Sequence, residues 1–587
     1  MQQATMGAVI VNLSLIAVQS SMTSFPAEGA RAQWLWKLAA RPCAFWLVLL
    51  ICTLWFVVAN HTWPLLNPDE GRYVGVALEM LHAREWGTPL LNGMPYFHKP
   101  PLFYWLTAIS MSIFGENEFA ARLVPAFAAV LMTSGIFLFL RRFTRQSLAL
   151  CSVIILITTP LMFGAAHYAN LDLLVAAMIS STILSGATAT LLHQQGNNSW
   201  RWVMAMYLFA ALGFLSKGLI GVVLPGAVLL MWLLVERYYS MIPGLLRPTG
   251  ILLFLLVTLP WLLLMQSRFS GFFHYYFVYQ QFDRFSQGGF NNVMPVWFYA
   301  AVLLVTMFAW YRKGMAVIFS RRYWQGEGEV CIRRLMWIWM ILILGFFSIP
   351  QSKLVGYILP VLPPLAFIFA EFFAGPRVRE AMPEQDMTVP ERDKTYSEWA
   401  KDAQCRSVAV NTRFSGRNFL VRLSVCVLLS AVSLIYMPFA NLPGSSRIAD
   451  AIRQIPVAER AGDQYFSLDY YPFDLGFYLG RVPGLAVVSG WDDPGMGSQD
   501  NWQKELWDAR AFLGEQAQQR FVLPGAFRAS MCRPQSQRRW ILSDVKRTHD
   551  FPELETIQPY AIDGRYRVYR LDAGAVMSFC RNGIATR

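Results

Sequence analysis

Two short motifs place carboxylates where they could act on a substrate. Asp69 and Glu70 lie in the run NPDEGRY at 67–73, and Asp172 ends the run HYANLD at 167–172. A carboxylate at the start of a helix often only caps free N–H groups, and this interpretation stays open for Asp69 and Asp172. The alternative is a carboxylate at the rim of a cavity, available for proton transfer or charge stabilisation. We therefore treat all three as candidate catalytic residues.

Four cations accompany these carboxylates at the outer ends of apolar segments: Lys99, Lys217, Arg284 and Lys353. One such residue could simply extend its charge towards the membrane surface. Charges near lipid are costly, however, and often mark functional sites. Four cations together with outer carboxylates indicate a lipid ligand that carries a phosphate.

His98 lies directly before Lys99 and raises the question of a metal. A lone histidine near an interface is more often a neutral hydrogen-bonding group. Alternatively, Asp69 and Asp172, with or without His98, could hold a divalent metal ion. The spacing of these residues does not follow a metal-ligand pattern, so no cofactor is required by the sequence.

The composition shows the setting in which these residues work. The chain has 587 residues, of which 55% are hydrophobic and only 15% are charged. Soluble proteins carry about 25% charged residues, so a water-soluble globule and a disordered chain are both excluded. The net charge of +13 is explained by basic cytoplasmic loops, and we expect no nucleic acid partner. The sequence contains no nucleotide-binding fingerprint.

Eleven segments approach the length of about 20 apolar residues that a membrane-spanning helix needs. They lie at 42–60, 119–140, 147–166, 171–193, 202–215, 219–235, 250–266, 293–311, 335–350, 356–374 and 418–438. Basic residues cluster before the first span, after the second and between the eighth and ninth. The positive-inside rule makes these ends cytoplasmic. It therefore predicts a cytoplasmic N-terminus and a C-terminal part on the opposite side, which in a bacterium is the periplasm.

The spans divide the chain into three parts. Residues 1–41 form a cytoplasmic segment, 42–438 a transmembrane catalytic domain, and 439–587 a periplasmic α/β domain. The outer loop 61–118 is amphipathic and predicts two helices lying at the membrane interface. A second outer loop, 267–292, is dominated by aromatic residues. It is either an interfacial belt or a flexible flap over a site.

The C-terminal domain has the pattern of a small α/β fold. Runs at 485–488 and 566–569 predict strands, and 500–518 predicts a helix. Cys532 and Cys580 both fall in this domain, in an oxidising compartment. They could form a disulfide, but their spacing alone does not show it.

Taken together, these motifs resemble a known family. NPDEGRY at 67–73, YFHKPPLFYW at 96–105, ANLD at 169–172 and SKLVGYILP at 352–360 are similar to polyprenyl-phosphate glycosyltransferases of the GT-C class. The resemblance is strongest to the bacterial 4-amino-4-deoxy-L-arabinose transferases of lipid A, which are related to protein O-mannosyltransferases. It covers roughly residues 42–587 and implies a GT-C fold with thirteen transmembrane helices, against the eleven counted above.

The resemblance also implies an activity. Aminoarabinose would move from undecaprenyl phosphate to lipid A phosphates at the periplasmic face of the bacterial inner membrane, giving resistance to polymyxin and other cationic peptides. We expect a monomer surrounded by membrane lipids.

It further assigns roles to individual residues. Asp69 would be the essential carboxylate, and Lys99, Lys217 and Arg284 would hold the donor phosphate, with Lys353 as a further cation. The residues that would line or cap the cavity are Arg72, Tyr73, Tyr96 and Tyr357. Family members often have Glu where this chain has His98, which argues against a metal role there.

A mechanism follows from these roles. Preorganised cations would stabilise the charge that develops on the leaving phosphate. The acceptor phosphate is already ionised, so Asp69 would orient the acceptor or the amino sugar, or stabilise oxocarbenium-like charge. With a hydroxyl acceptor the same residue would be a base.

Two alternatives stay open. The first is a protein O-mannosyltransferase or another transferase of lipid-linked sugars. The second is a lipid transporter, which the lack of an inverted repeat disfavours.

Overall fold

The structure is a bundle of apolar helices that carries a sheet-containing domain in its C-terminal part. It is a computed structural model. It describes residues 41, 43–283, 292–310, 323, 329–373, 416–440, 444–480, 484–497, 501–577 and 580.

The helical part begins with an apolar helix, and two helices of the outer loop follow it before the next apolar helix. Its α-helices are α1 Ala44–Val57, α2 Asp69–Ala83, α3 Leu102–Phe114, α4 Glu118–Phe143, α5 Gln146–Ile157, α6 Pro160–Ala166, α7 Leu171–Gln194, α8 Trp200–Lys217, α9 Ile220–Val235, α10 Met241–Leu245, α11 Pro248–Arg268, α12 Phe298–Thr306, α13 Val330–Ser348, α14 Leu362–Glu371 and α15 Gly416–Tyr436. A π-helix spans His274–Asp283, a 3-10 helix spans Val355–Val361, and a hairpin joins β1 Leu90–Leu91 to β2 Met94–Pro95.

Every segment predicted to span the membrane contains a helix. Among the described residues, five helices are long and apolar enough to cross a membrane. The count is six if α5 and α6, which meet at a bend of 64°, form one broken span. Four further apolar helices are shorter. The chain is therefore a membrane protein, as its composition predicts.

Local sequence explains where the key helices begin and end. The side chain of Asn170 accepts a hydrogen bond from the backbone N–H of Asp172 at 2.9 Å and caps α7. Helix α8 ends at Lys217 because Gly218 has a φ of 82°, a conformation that favours glycine. Both ends carry candidate site residues, so the caps decide where those side chains lie.

The C-terminal domain is built on a six-stranded sheet. Its strands are β3 Gln464–Leu468, β4 Ala486–Val488, β5 Phe521–Val522, β6 Arg539–Asp544, β7 Ala561–Asp563 and β8 Tyr566–Leu571. Their order is β5-β4-β3-β6-β8-β7. The first four strands are parallel to one another, β8 pairs antiparallel with β6, and β7 pairs antiparallel with β8. Its α-helices are α16 Ser446–Arg453, α17 Val457–Arg460, α18 Leu475–Leu479, α19 Trp502–Arg510 and α20 Pro524–Met531.

The sequence predicted this domain in outline. The strands expected at 485–488 and 566–569 are present as β4 and β8, whereas the helix expected at 500–518 ends as α19 at Arg510. Cys532 and Cys580 form a disulfide. The fold class, a polytopic helical membrane protein with a C-terminal α/β domain, is confirmed.

The C-terminal domain packs directly on the outer loop that follows α1. Asn67 donates a hydrogen bond to Asp474, and the backbone N–H of Leu65 donates to the Tyr478 hydroxyl at 2.6 Å. The two segments of the chain can approach closely because α2 carries glycine here. A Cβ at Gly75 would lie 2.9 Å from the carbonyl oxygen of Phe473. The loop is thus held between the helical bundle and the sheet domain.

Candidate functional site

Glu70 lies at the base of the site and is completely buried. Its two oxygens accept hydrogen bonds from Nε and Nη2 of Arg122, both at 2.8 Å. They also accept the backbone N–H groups of Leu66 at 2.9 Å and Ala169 at 2.7 Å. The remaining N–H groups of Arg122 donate to backbone carbonyls of the loop after α1. This geometry favours a structural role for Glu70, and its catalytic role stays a prediction.

Asp69 is the neighbour of Glu70, but its side chain points towards the rim instead of the interior. Its side chain is 34% exposed. The hydroxyl of Tyr168 donates to Oδ2 at 3.4 Å, and Nη1 of Arg72 lies 3.7 Å from Oδ1. These are long contacts, so the Asp69 carboxylate is positioned without being saturated. It has the exposure that a group acting on a substrate needs.

Asp172 forms a second acidic position beside a cation. Lys217, at the end of α8, donates a hydrogen bond to Oδ1 of Asp172. The Lys217 ammonium also lies 4.0 Å from the centre of the Tyr357 ring. A Cβ at Gly356 would clash with the Asp172 carboxylate, so only glycine permits this approach. Three candidates from distant segments therefore meet in one cluster.

Tyr73 connects the two acidic positions. Burial is the main cause that raises the pKa of its phenol, and the charges of Asp69 and Asp172 raise it further. The phenol is thus within electrostatic reach of both carboxylates and stays protonated. Both the Asp69 and the Asp172 carboxylates therefore lie near the Tyr73 phenol.

Helix α19 of the C-terminal domain closes one side of this site. Glu505 lies 3.1 Å from Nη1 of Arg72 and accepts a hydrogen bond from the Tyr96 hydroxyl at 3.2 Å. Burial opposes the charge of Arg72, but Glu505, Tyr96 and Asp69 raise the pKa of its guanidinium above the ordinary value. Arg72 and Tyr96 therefore do lie near Asp69, held there by a residue that sequence reasoning missed.

The next turn of α19 contacts a different part of the site. Oδ2 of Asp508 lies 3.8 Å from Nε2 of His98 and accepts a hydrogen bond from the Tyr275 hydroxyl at 3.2 Å. Lys504 donates to the two oxygens of Asp508 at 2.8 and 3.0 Å. His98 also stacks on Tyr96, with ring centres 4.7 Å apart. Aromatic stacking and a nearby carboxylate account for His98 without a metal.

The remaining predicted cations differ in their surroundings. Lys353 is 2% exposed and its ammonium donates to the carbonyl of Met294 at 2.9 Å and to that of Pro350. This favours a structural role for Lys353, and its role as a phosphate ligand stays a prediction. Lys99 is half-buried in the turn before α3. Arg284 lies outside the described residues, so its predicted role remains a prediction.

A metal ion fits this site poorly. Asp172 is paired with Lys217, and a cation there repels a second cation. Within the part of the chain that the structure describes, no three His, Cys, Asp or Glu side chains form a group that could hold a metal. The metal role predicted for His98 and Asp172 is therefore not carried further.

The residues missed from the sequence are Arg122, Glu505 and Asp508. Arg122 had a signal: it is a lone charge near the start of the long apolar helix α4, and such charges need a partner. Glu505 and Asp508 had none, because they lie in ordinary globular sequence far from their partners: Glu505 is 409 residues from Tyr96, and Asp508 is 233 residues from Tyr275.

The arrangement of helices, outer loop and sheet domain defines the GT-C class of membrane glycosyltransferase fold. The same fold is found in the crystal structure of ArnT from Cupriavidus metallidurans bound to undecaprenyl phosphate. The TM-score is 0.70 at 21% identity, over 90% of this chain and 98% of that one. At this identity the likeness establishes the fold.

Sequence comparison adds named relatives. The chain is 31% identical over 345 residues to an undecaprenyl phosphate-alpha-4-amino-4-deoxy-L-arabinose arabinosyl transferase of Pectobacterium carotovorum. It is 30% identical over 325 residues to the transferase of that name in Pseudomonas aeruginosa. These alignments cover 57% and 55% of this chain, and 60% and 58% of the relatives, so the chain matches less than two thirds of their length. Residues 98–264 match the family described as dolichyl-phosphate-mannose-protein mannosyltransferase.

Proposed function

We propose that this protein is a glycosyltransferase that moves 4-amino-4-deoxy-L-arabinose from undecaprenyl phosphate to lipid A phosphate groups. The observation that carries the proposal is the similarity of about 30% identity to transferases named for this donor. The reaction would take place at the periplasmic face of the bacterial inner membrane. The position of the C-terminal domain in the periplasm and the monomeric state are part of the proposal.

The geometry supports transfer from a lipid-linked phosphate. Lys217 lies between Asp172 and Tyr357 with 10% of its side chain exposed, so it is partly accessible yet shielded from bulk water. A cation in such a place stabilises the charge that develops on a leaving phosphate more strongly than it would in water. Lys99 and Arg284 would contribute further positive charge.

Asp69 is suited to the reacting sugar. Its carboxylate is exposed at the rim, and Tyr168 and Arg72 hold it in place. The acceptor phosphate is ionised at neutral pH, so Asp69 need not remove a proton from it. It would bind the ammonium group of the amino sugar or stabilise positive charge on the sugar ring as the bond to phosphate breaks.

Mass spectrometry of lipid A tests this proposal. Cells that lack the gene are complemented with the wild type, with Asp69→Asn, or with Asp450→Asn as a control. Asp450 is exposed and pairs only across one helical turn with Arg453. We expect wild type and control to add aminopentose and Asp69→Asn to add about 100-fold less at equal protein level, the usual size of the effect when one electrostatically stabilising group is lost. Full addition by Asp69→Asn would contradict the role of this residue.

A second candidate differs in the acceptor. The match of residues 98–264 to protein mannosyltransferases favours transfer to a protein hydroxyl, with Asp69 as the base. An unchanged lipid A profile together with a new hexose on periplasmic proteins would support it over the first.

A further inference from the structure

Helix α19 presents two acidic side chains one turn apart, and they contact different elements of the site. Glu505 contacts Arg72 and Tyr96, close to Asp69. Asp508 contacts two elements that belong to different loops of the membrane domain: His98, in the turn after β2, and Tyr275, in the π-helix. The Asp508 carboxylate is therefore a point at which three parts of the chain meet.

Charge and burial fix the position of the Asp508 carboxylate. The side chain of Asp508 is only 12% exposed, and Lys504 balances its charge from one turn earlier in the same helix. Burial opposes the charge of Lys504, but hydrogen bonds to Asp508 and Tyr279 raise its pKa, so the ammonium persists. The Lys504 ammonium also lies 4.6 Å from the centre of the Tyr279 ring, on the same π-helix. Both members of the pair thus contact the aromatic segment.

An apolar wedge next to α19 supports the same contact. Phe512 packs edge-on against Phe97, with ring centres 4.9 Å apart, and against Tyr275 at 5.4 Å. Phe97 and His98 are consecutive residues of the turn that continues into Lys99. The position of this turn relative to the π-helix is therefore determined by the C-terminal domain on both a polar and an apolar side.

We infer that Asp508 is a positioning residue for donor binding: it holds the turn 96–99 against the π-helix and so fixes Lys99 for the phosphate of a polyprenyl phosphate. The inference rests on the proposed function for the class of ligand. It gives the C-terminal domain a part in donor binding, although the donor would contact the membrane domain. Asp508 acts through His98 and Tyr275 and need not touch the lipid.

The first test measures binding of undecaprenyl phosphate to the full-length protein in detergent. The variants are Asp508→Asn and, as a matched control, Asp572→Asn, which removes an exposed carboxylate from the same domain. We expect Asp508→Asn to weaken binding about tenfold, as positioning residues commonly do, and the control to bind like wild type. Equal affinity of Asp508→Asn and wild type would overturn the inference.

A second variant separates positioning from folding. Tyr275→Phe removes one hydroxyl and leaves the ring contacts with Phe512 intact, so the domain should unfold at the wild-type temperature. We expect a rise in KM for the lipid-linked sugar of about threefold for Tyr275→Phe and about tenfold for Asp508→Asn, with kcat within about twofold. A fall in kcat alone, at unchanged KM, would show a merely structural role and overturn the inference.

Hydrogen exchange of the protein without ligand distinguishes failure of this inference from failure of the proposed function. Asp508→Asn should speed exchange of amides in 96–99 and 274–283, and Asp572→Asn should not. If wild type transfers no aminoarabinose but binds undecaprenyl phosphate in an Asp508-dependent way, the proposed reaction is wrong and the positioning role stands. Unchanged exchange in Asp508→Asn, or a wild type that does not bind undecaprenyl phosphate, would overturn the positioning role.

Discussion

Two carboxylate–cation pairs lie on the same side of the helical bundle, and their surroundings are opposite. Glu70 and Arg122 are 0% exposed, and every oxygen and N–H group of the pair has a protein partner. Asp172 and Lys217 are 11% and 10% exposed, and an aromatic ring covers the ammonium. The first pair has all its polar atoms bonded within the protein, whereas the second is partly exposed and, in the proposed function, would exchange one partner for a phosphate.

The comparison shows that the type of residue does not decide its role here. Asp69 and Glu70 are consecutive in the chain, yet one faces the rim and the other the interior, because successive side chains of a helix point about 100° apart. A buried ion pair that is fully hydrogen-bonded positions the backbone around it. In this protein it holds the loop after α1 against α4, and so places Asp69.

The largest effect is expected from breaking the buried pair. Glu70→Ala leaves the guanidinium of Arg122 buried without a counter-charge, which costs about 3–5 kcal/mol. We expect the variant to accumulate poorly in membranes and to unfold at a clearly lower temperature in detergent. Glu70→Ala protein that unfolds like wild type but is inactive would instead assign Glu70 a direct catalytic role.

An intermediate effect is expected from the second pair. Lys217→Met should lower transfer activity by about 10-fold or more, because the proposed function uses this cation to stabilise the leaving phosphate. Asp172→Asn should have a smaller effect, and the double variant should deviate from additivity by about 1 kcal/mol, as contacting residues do. Thermal unfolding should change little in all three. A loss of stability as large as that of Glu70→Ala would make the two pairs equivalent and contradict the comparison.

The smallest expected effect concerns the pH dependence of stability and a third carboxylate, Glu79. Backbone N–H groups bind this carboxylate, and among the described residues it does not form the two-bond pair with arginine that Glu70 forms. It accepts the backbone N–H groups of Asn92 and Gly93, both at 2.7 Å, and burial raises its pKa to about 7. Because the folded state binds this proton more tightly than an unfolded chain with a pKa of 4.5, stability should fall as pH rises from about 4.5 to about 7.

The unfolding temperature at pH 5 and pH 8 measures this effect. Glu79→Gln should narrow the difference between the two values, while Glu459→Gln, at a solvent-exposed position, should leave it unchanged. Equal pH dependence in wild type and Glu79→Gln would show that other groups set it.

The sequence predicted the helices well because their signals are local. A long apolar run in a membrane predicts a helix, because a helix forms all its backbone hydrogen bonds within the segment. The break between α8 and α9 was visible in the sequence at Gly218. The number of membrane-spanning helices was harder to predict. Helices α9 and α12 are short, and length alone does not decide whether such helices cross a membrane.

The site was only partly predictable because its contacts are not local. Asp172, Lys217 and Tyr357 were chosen by residue type and form one cluster in the structure, while their roles stay predictions. Glu70 and Lys353 were chosen in the same way, but their polar atoms are bonded within the fold. What separates them is whether their polar atoms already have partners. That depends on Arg122 in one case and on the carbonyls of Met294 and Pro350 in the other, and no spacing rule reveals such partners.

The contact between the outer loop and the sheet domain has a consequence for biosynthesis. Asn67 and Leu65 are bonded to residues 407 and 413 positions further along the chain. When the ribosome has synthesised the first loop, its partner has not yet been made. Contacts of such separation form late in folding. The rim around Asp69 is therefore completed only after the intervening helices have been made, so a partly translated chain lacks a finished site.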